Sequence, residues 1–294
     1  MSTHDFTHFD SRLFLTGTLH LDTSLRIGAG RTGDLQTATE LSVVKDATGA
    51  PYIPGSSFKG ALRAYVESIL RTITEDELKG ACLCVTQVQG KADGCITTRA
   101  SDRFQEQVEA IRKKIKDKKA PPDALERFYL NETCRACQVF GSPWAASKAL
   151  VRDLPVTSEW LGRFQYRDGV AIDRDTETAS EGKLYSFEAV PAGTEFAWEI
   201  IVENATPEEQ GMLLLGLMGF QRGQVPLGGG RSRGLGRATL KLDLEHSYEL
   251  DTAREGGKKA LLDYLFTGQG NKLTREAMES KIDAFRASLG VPNA

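Results

Sequence analysis

The chain of 294 residues lacks any apolar run long enough to cross a bilayer. Its first residues, Met-Ser-Thr-His-Asp-Phe, lack the charged and apolar regions of a signal peptide. Membrane-spanning and secreted classes are set aside, and a cytoplasmic protein without membrane partners is expected. An excess of positive charge is also missing. Lys and Arg number 37 against 40 Asp and Glu, for a formal net charge of −3 and a pI near 5.9. That excludes a protein that coats nucleic acid by bulk charge and confines any polyanion site to a local patch. Histidine is scarce: the four present, His4, His8, His20 and His246, form no Ser-His-Asp or Cys-His constellation and are given no metal role. Cysteine is limited to five. In a reducing compartment an odd count points away from disulfides and toward a metal or free thiols.

Two basic, glycine-bearing stretches stand out against this acidic background. Pro54-Gly-Ser-Ser-Phe-Lys-Gly-Ala-Leu-Arg63 reads as a turn that opens a helix, with Ser56 or Ser57 as N-cap and Lys59 and Arg63 four apart on one face. Free backbone N–H groups, two hydroxyls and two cations suit a phosphate. Pro226-Leu-Gly-Gly-Gly-Arg-Ser-Arg-Gly-Leu-Gly-Arg237 packs five glycines and three arginines into one loop. More glycine than a connection requires lets backbone come close to a polyanion. The candidate RNA-binding residues are Gly55, Ser56, Ser57, Lys59, Arg63, Gly229, Gly230, Arg231 and Arg233.

Along the chain, residues 12–27 alternate as a half-buried strand, with Leu13, Leu15, Gly17, Leu19 and Leu21 on one face. Gly28-Ala-Gly30-Arg-Thr-Gly33 formally matches a dinucleotide-binding fingerprint. The threonine-rich stretch after it reaches the next apolar run, 41–44, too soon for the required helix, and a loop between strands is expected. Asp46-Ala-Thr-Gly49 signals a turn. A helix follows over about 57–71, with Phe58, Leu62, Tyr65, Val66, Ile69 and Leu70 as its apolar stripe. Residues 80–140 read as an insertion, and Asp168 to Lys183, polar and turn-rich, as a protruding hairpin. Strands at 149–154, 184–190, 196–202 and 238–244, a helix at 207–222 and a helical tail over about 256–288 complete the order. This is an α+β chain, compatible with one β-α-β-β-α-β ferredoxin-like unit carrying insertions.

All five cysteines fall between 82 and 137. Cys134-Arg-Ala-Cys137 is one half of a zinc site, and the preferred set of four thiolates is Cys84, Cys95, Cys134 and Cys137, with Cys82 as alternate. A loop-rich insertion without its own core would be organised by such a metal. The carboxylates open to catalysis are Asp34 and Glu40, in the loop after the first strand, and Asp46 beyond it. A carboxylate beside RNA can orient or deprotonate a 2′-hydroxyl, or hold a divalent cation at the scissile phosphate.

Taken together, these motifs resemble the RAMP superfamily, in particular the backbone subunits of type III CRISPR effector complexes of the III-D branch. The resemblance is carried by Asp46–Arg63, by Cys134-Arg-Ala-Cys-Gln-Val-Phe-Gly-Ser-Pro143, by Arg167-Asp-Gly-Val-Ala-Ile-Asp-Arg, by Lys183-Leu-Tyr-Ser-Phe-Glu-Ala-Val-Pro191 and by the Gly-Arg loop. It spans about 12–244. It implies a single RAMP domain over 1–294: a ferredoxin-like (RRM-like) palm, a β-hairpin thumb at 166–186, the cysteine-rich insertion at 80–140 and a helical tail at 250–294. It further implies copies stacked along a CRISPR guide RNA beside other type III subunits, with target RNA held for cleavage in antiviral defence. Base pairing would then read sequence while protein holds backbone. In the active members an aspartate in the loop after the first strand supports cutting with Mg or Mn. Its counterpart here is Glu40, whose carboxylate sits one methylene further out, with Asp34 as the alternative. A displacement of that order can cost about 10²-fold in rate. The resemblance leaves open an architectural subunit that cuts nothing and, as a third reading, a metal-independent nuclease that processes precursor guide RNA.

Overall fold

In the computed structural model the described residues are 6, 8–29, 41–74, 80–82, 86–88, 91–93, 102–142, 145–169, 175 and 185–290. The first strand, β1 (Ser11–Leu21), buries Leu13, Leu15, Leu19 and Leu21 on one face, as its alternation predicts. The chain continues through β2 (Tyr52–Ile53) to α1 (Gly55–Ile73). The insertion holds β3 (Thr86–Val88), β4 (Lys91–Asp93), α2 (Asp102–Lys116), α3 (Ala124–Asn131) and α4 (Arg135–Phe140). Next come β5 (Ala149–Val151), β6 (Leu154–Pro155), and the ribbon strands β7 (Gln165–Gly169) and β8 (Tyr185–Ala189). The chain returns in β9 (Glu195–Glu203), α5 (Pro207–Gln221) and β10 (Ala238–Leu242), and ends with β11 (Tyr248–Asp251), α6 (Gly257–Thr267), β12 (Asn271–Lys272) and α7 (Arg275–Ser288).

β1 lies at the centre of the main sheet. One edge pairs along nearly its whole length with β9, which in turn pairs with β5. The other edge is shared, Gly17–Leu21 with β10 and Ser11–Phe14 with β11. All these pairs are antiparallel. The order β10-β1-β9-β5, with α1 between β1 and β5 and α5 between β9 and β10, is the ferredoxin-like arrangement expected from the element order.

The leucines of β1 and Phe196, Trp198, Ile200 and Val202 of β9 face α1 and α5 in one core. Phe58 of α1 stacks on Phe220 of α5 at 4.6 Å. α5 is buried on nearly all sides, because α1 covers one flank and α7 the other. Gly216 makes the α1 contact possible, since a Cβ there would lie 2.6 Å from Val66. The C-terminal segment is thus built into the helical layer, with Phe285 of α7 in the core.

α5 begins with a full capping box: the Thr206 hydroxyl accepts from Glu209 N, and the Glu209 carboxylate accepts from Thr206 N at 2.8 Å. The same carboxylate takes two hydrogen bonds, 2.9 and 2.7 Å, from the ammonium of Lys148, which is completely buried just before β5. This pair joins the two halves of the ferredoxin-like unit. Among the described residues no helix is long and apolar enough to cross a membrane.

Candidate nucleic-acid interface

The Gly-Arg loop joins α5 to β10. Its base is closed by Leu227 N donating to Gly236 O at 2.8 Å. It is pinned to the segment after β1 by Gly229 N to Arg26 O (2.8 Å) and Gly236 N to Ser24 O (2.9 Å). Leu227 and Leu235 are buried beneath it, while Arg231, Ser232 and Arg233 form one exposed 3₁₀ turn at the tip. The glycines permit this close lamination. At Gly236 φ is +85° and a Cβ would lie 1.9 Å from Leu227 O; at Gly228 φ is +69° and a Cβ would lie 2.2 Å from Arg26 O. Gly236→Ala is expected to cost ~1–3 kcal/mol in backbone strain alone and to displace the arginine tip. Thermal unfolding together with RNA affinity checks this: a variant with wild-type Tm and wild-type affinity would contradict it.

β7 and β8 form an antiparallel ribbon in which Gln165 faces Ala189 and Gly169 faces Tyr185. Gln165, Arg167, Tyr185 and Phe187 share the face turned to the Gly-Arg loop and the 24–26 segment. Ser24 donates to Gln165 Oε1 at 2.6 Å, and Arg167 donates to the same oxygen at 3.1 Å. The Arg26 guanidinium lies 4.9 Å from the Phe187 ring centroid, and its Nε is buried with no hydrogen-bond partner among the described residues. Arg233 donates to the Tyr185 hydroxyl. Arg26, Arg167, Arg231 and Arg233 have no carboxylate partner among the described residues, whereas Arg237 sits 3.5 Å from Asp22. Four arginines without a carboxylate partner among the described residues, beside half-buried Tyr185, make a surface suited to a phosphodiester backbone and an unstacked base.

The other face of the ribbon is tied down by Glu188. This buried carboxylate accepts from Val43 N at 3.2 Å and pairs with Lys45 at 2.9 Å, while Lys45 lies 4.2 Å from the Phe164 ring centroid. The described part of the β7–β8 ribbon is therefore fixed on both sides. Its tip, apart from Asp175, lies outside the described residues.

The start of α1 differs from the serine-capped phosphate cradle expected from sequence. The helix begins at Gly55 with Pro54 as N-cap, and neither Ser56 nor Ser57 caps it. Asp153, 98 residues away, accepts from Gly55 N at 2.7 Å, and Pro54 O takes the Ser57 and Phe58 amides. With an aspartate already at the helix N-terminus, these amides are not free for an anion. Ser56 is exposed and Ser57 half-buried. Lys59 donates to Ser147 Oγ at 2.7 Å; burial, aided by the charge of Arg63, lowers its pKa. Arg63 is engaged inward, with Glu67 Oε1 at 2.6 Å, Gly141 O at 2.8 Å and Cys137 Sγ at 3.1 Å.

Three buried thiols, those of Cys82, Cys134 and Cys137, lie within 4.8 Å of one another. Cys82 Sγ and Cys137 Sγ are 3.7 Å apart. A tetrahedral ion with metal–sulfur bonds of about 2.3 Å requires about 3.8 Å between sulfurs, so the donor set fits a single metal ion. Cys134 is the N-cap of α4, and Cys137 lies in its first turn with its Sγ accepting from Arg63 at 3.1 Å. The structure thus brings together the alternate, Cys82, with two of the preferred four. Cys84 and Cys95 lie outside the described residues.

A family model described as the RAMP superfamily matches residues 18–239. The chain belongs to the RAMP superfamily. Membership points to a CRISPR-associated, RNA-binding protein, in accord with the arginines around the loop that have no carboxylate partner among the described residues. No curated protein matches the chain individually. The candidate catalytic residues of this RAMP protein, Asp34 and Glu40, lie outside the described residues; the described chain resumes at Leu41, bridged to Phe187 of the ribbon. Asp46 is a turn residue: its Oδ1 accepts from Thr48 N, Thr48 Oγ1 and Ala50 N, and the Thr48 hydroxyl leads in lowering its pKa. Sequence reasoning missed Arg26 as a site residue, since its partner ring is more than 150 positions away; Arg167 was visible only through its motif.

Proposed function

We propose that this RAMP protein is a guide-RNA-binding backbone subunit of a type III CRISPR interference complex, of the III-D-like branch. It stacks with further copies of itself and with other effector subunits along the guide and positions target RNA. The observation that carries this reading is the convergence of Arg26, Arg167, Arg231 and Arg233, none of them ion-paired among the described residues, on one surface between the Gly-Arg loop and the root of the β7–β8 ribbon. Gly229 and Gly230 let the RNA backbone approach the loop. Ser56, Ser57 and Lys59 extend the track along α1. Arg63 serves it indirectly, by holding α1 against the cysteine cluster.

Co-expression with a CRISPR array and the neighbouring complex genes, followed by sequencing of the RNA that co-purifies, tests this. Guide-length RNA with a repeat-derived tag is expected, and its loss in an Arg167→Ala, Arg231→Ala, Arg233→Ala variant. A preparation free of RNA would overturn the assignment. Because a phosphate at Lys59 needs the charged amine, affinity should also fall as pH rises through the depressed lysine pKa. Lys59→Met should remove that alkaline limb from a pH titration.

Cys82, Cys134 and Cys137, with a fourth ligand from Cys84 or Cys95, are assigned a structural zinc ion. When bound, zinc would tie Cys82, in the segment after α1, to Cys134 and Cys137 of the α4 turn, which Arg63 holds against the middle of α1. Metal analysis should find one zinc per chain, and Cys137→Ser should lower both zinc content and Tm. Wild-type protein that is metal-free and fully stable in chelator would contradict the assignment. For target cleavage we assign Glu40 or Asp34, carboxylates of the kind that hold Mg or Mn. Target cutting that survives both Glu40→Ala and Asp34→Ala at saturating magnesium would remove both carboxylates from the cutting step and favour the architectural reading for this chain.

A further inference from the structure

One strongly charged surface has no part in the site above. From Arg112 to Lys119, at the end of α2 and the turn after it, six cations (Arg112, Lys113, Lys114, Lys116, Lys118, Lys119) accompany one carboxylate, Asp117. All seven side chains are exposed, and none of the six cations has an ion-pair partner among the described residues. The chain as a whole is acidic, so this concentration is not a sample of average surface.

The helix dipole accounts for part of it, because cations in a last turn are favourable. It does not account for six. Arg112 and Lys116 stand at i,i+4 and Lys113 and Lys116 at i,i+3, spacings at which like charges destabilise a helix. A membrane surface is disfavoured by what the rest of α2 does. Val108 is buried against Leu125, Phe128 and Tyr129 of α3, and Ile111 and Ile115 are half-buried. Among the described side chains of α2 the apolar stripe is turned into the helical hairpin and offers little to insert between lipids. At 1.5 Å per residue the eight positions extend about 10–12 Å, over which a nucleic-acid strand offers about three phosphates.

We propose that the basic end of α2 is a second RNA contact, binding phosphodiester backbone independently of the Gly-Arg loop. The test uses the full chain and a mixed-sequence single-stranded RNA of about 30 nucleotides, with affinity measured by fluorescence anisotropy across a salt series. Combined Lys113→Gln, Lys114→Gln, Lys116→Gln and Lys119→Gln should weaken binding about tenfold or more at 0.1 M salt. It should also flatten the log–log salt slope by about 2, at about 0.7 per phosphate contact. The matching four Lys→Arg changes should preserve both, and Tm should not fall in either variant, since repulsion is relieved or unchanged. In an Arg231→Ala, Arg233→Ala background the glutamine set should weaken binding further; that arm separates this contact from the guide-binding surface. Unchanged affinity and slope in the glutamine variant would overturn the proposal. So would loss of binding to vesicles rich in phosphatidylserine while RNA binding stays intact.

Discussion

Lys148→Ala is expected to lower the free energy of unfolding by ~3–5 kcal/mol, the range seen when one partner of a buried ion pair is removed. The Lys148 side chain is fully buried and Glu209 nearly so, which leaves the Glu209 carboxylate without water and without its cation. The damage also spreads through backbone. Lys148 N donates to Val139 O and its carbonyl accepts from Glu203 N, so the residue ties α4, β5 and β9 together at one point. The Glu209 carboxylate also accepts from Thr206 N, so an unpaired charge there strains the start of α5. Pairing Lys148→Met with Glu209→Gln should recover much of the loss, because the amide oxygen still caps the helix and no charge stays buried. Denaturant unfolding of the three variants checks the sign and the recovery. A Lys148→Ala protein within 1 kcal/mol of wild type (about the value of an exposed pair) would show that the pair is not sequestered.

The second large effect concerns RNA. Changing Arg26, Arg167, Arg231 and Arg233 together to Gln should lower RNA affinity by about two to three orders of magnitude at 0.1 M salt. It should reduce the salt slope by about 3, at about 0.7 per phosphate contact. The estimate takes all four as phosphate contacts, which their lack of carboxylate partners among the described residues supports. Exposed Arg152, paired with Glu199 at 2.8 Å, is the internal control: Arg152→Gln should change affinity little, since its charge is already matched. Equal losses at Arg152 and at the loop would mean that binding follows overall charge, not this surface.

Much of the frame was legible in the chain itself. The period-2 leucines of β1 and the period-3.6 stripe of α1 give the sheet and the first helix, because each pattern can bury its apolar side in only one conformation. The Asp46–Gly49 turn and the glycine-rich loop before β10 were equally plain. What stayed hidden was long-range. Asp153 replaces the expected serine caps of α1 from 98 residues away, and Lys148 finds Glu209 from 61 away; neither pairing leaves a local trace. Arg63 is a different case. Glu67 stands four residues on, an i,i+4 ion-pair signal that marked Arg63 as already engaged. The choice between Cys82 and Cys84 could not be made from spacing, since the two are next-but-one neighbours in the sequence and both stand far ahead of the Cys134–Cys137 motif.

The most direct test of the central claim is to locate RNA on the protein. Guide RNA containing 4-thiouridine, cross-linked by near-ultraviolet light in the assembled complex, should mark peptides from the Gly-Arg loop, 226–237, and from the thumb root, chiefly Tyr166, Arg167 and Tyr185. Cross-links that spare both segments and gather elsewhere on the chain would contradict the account.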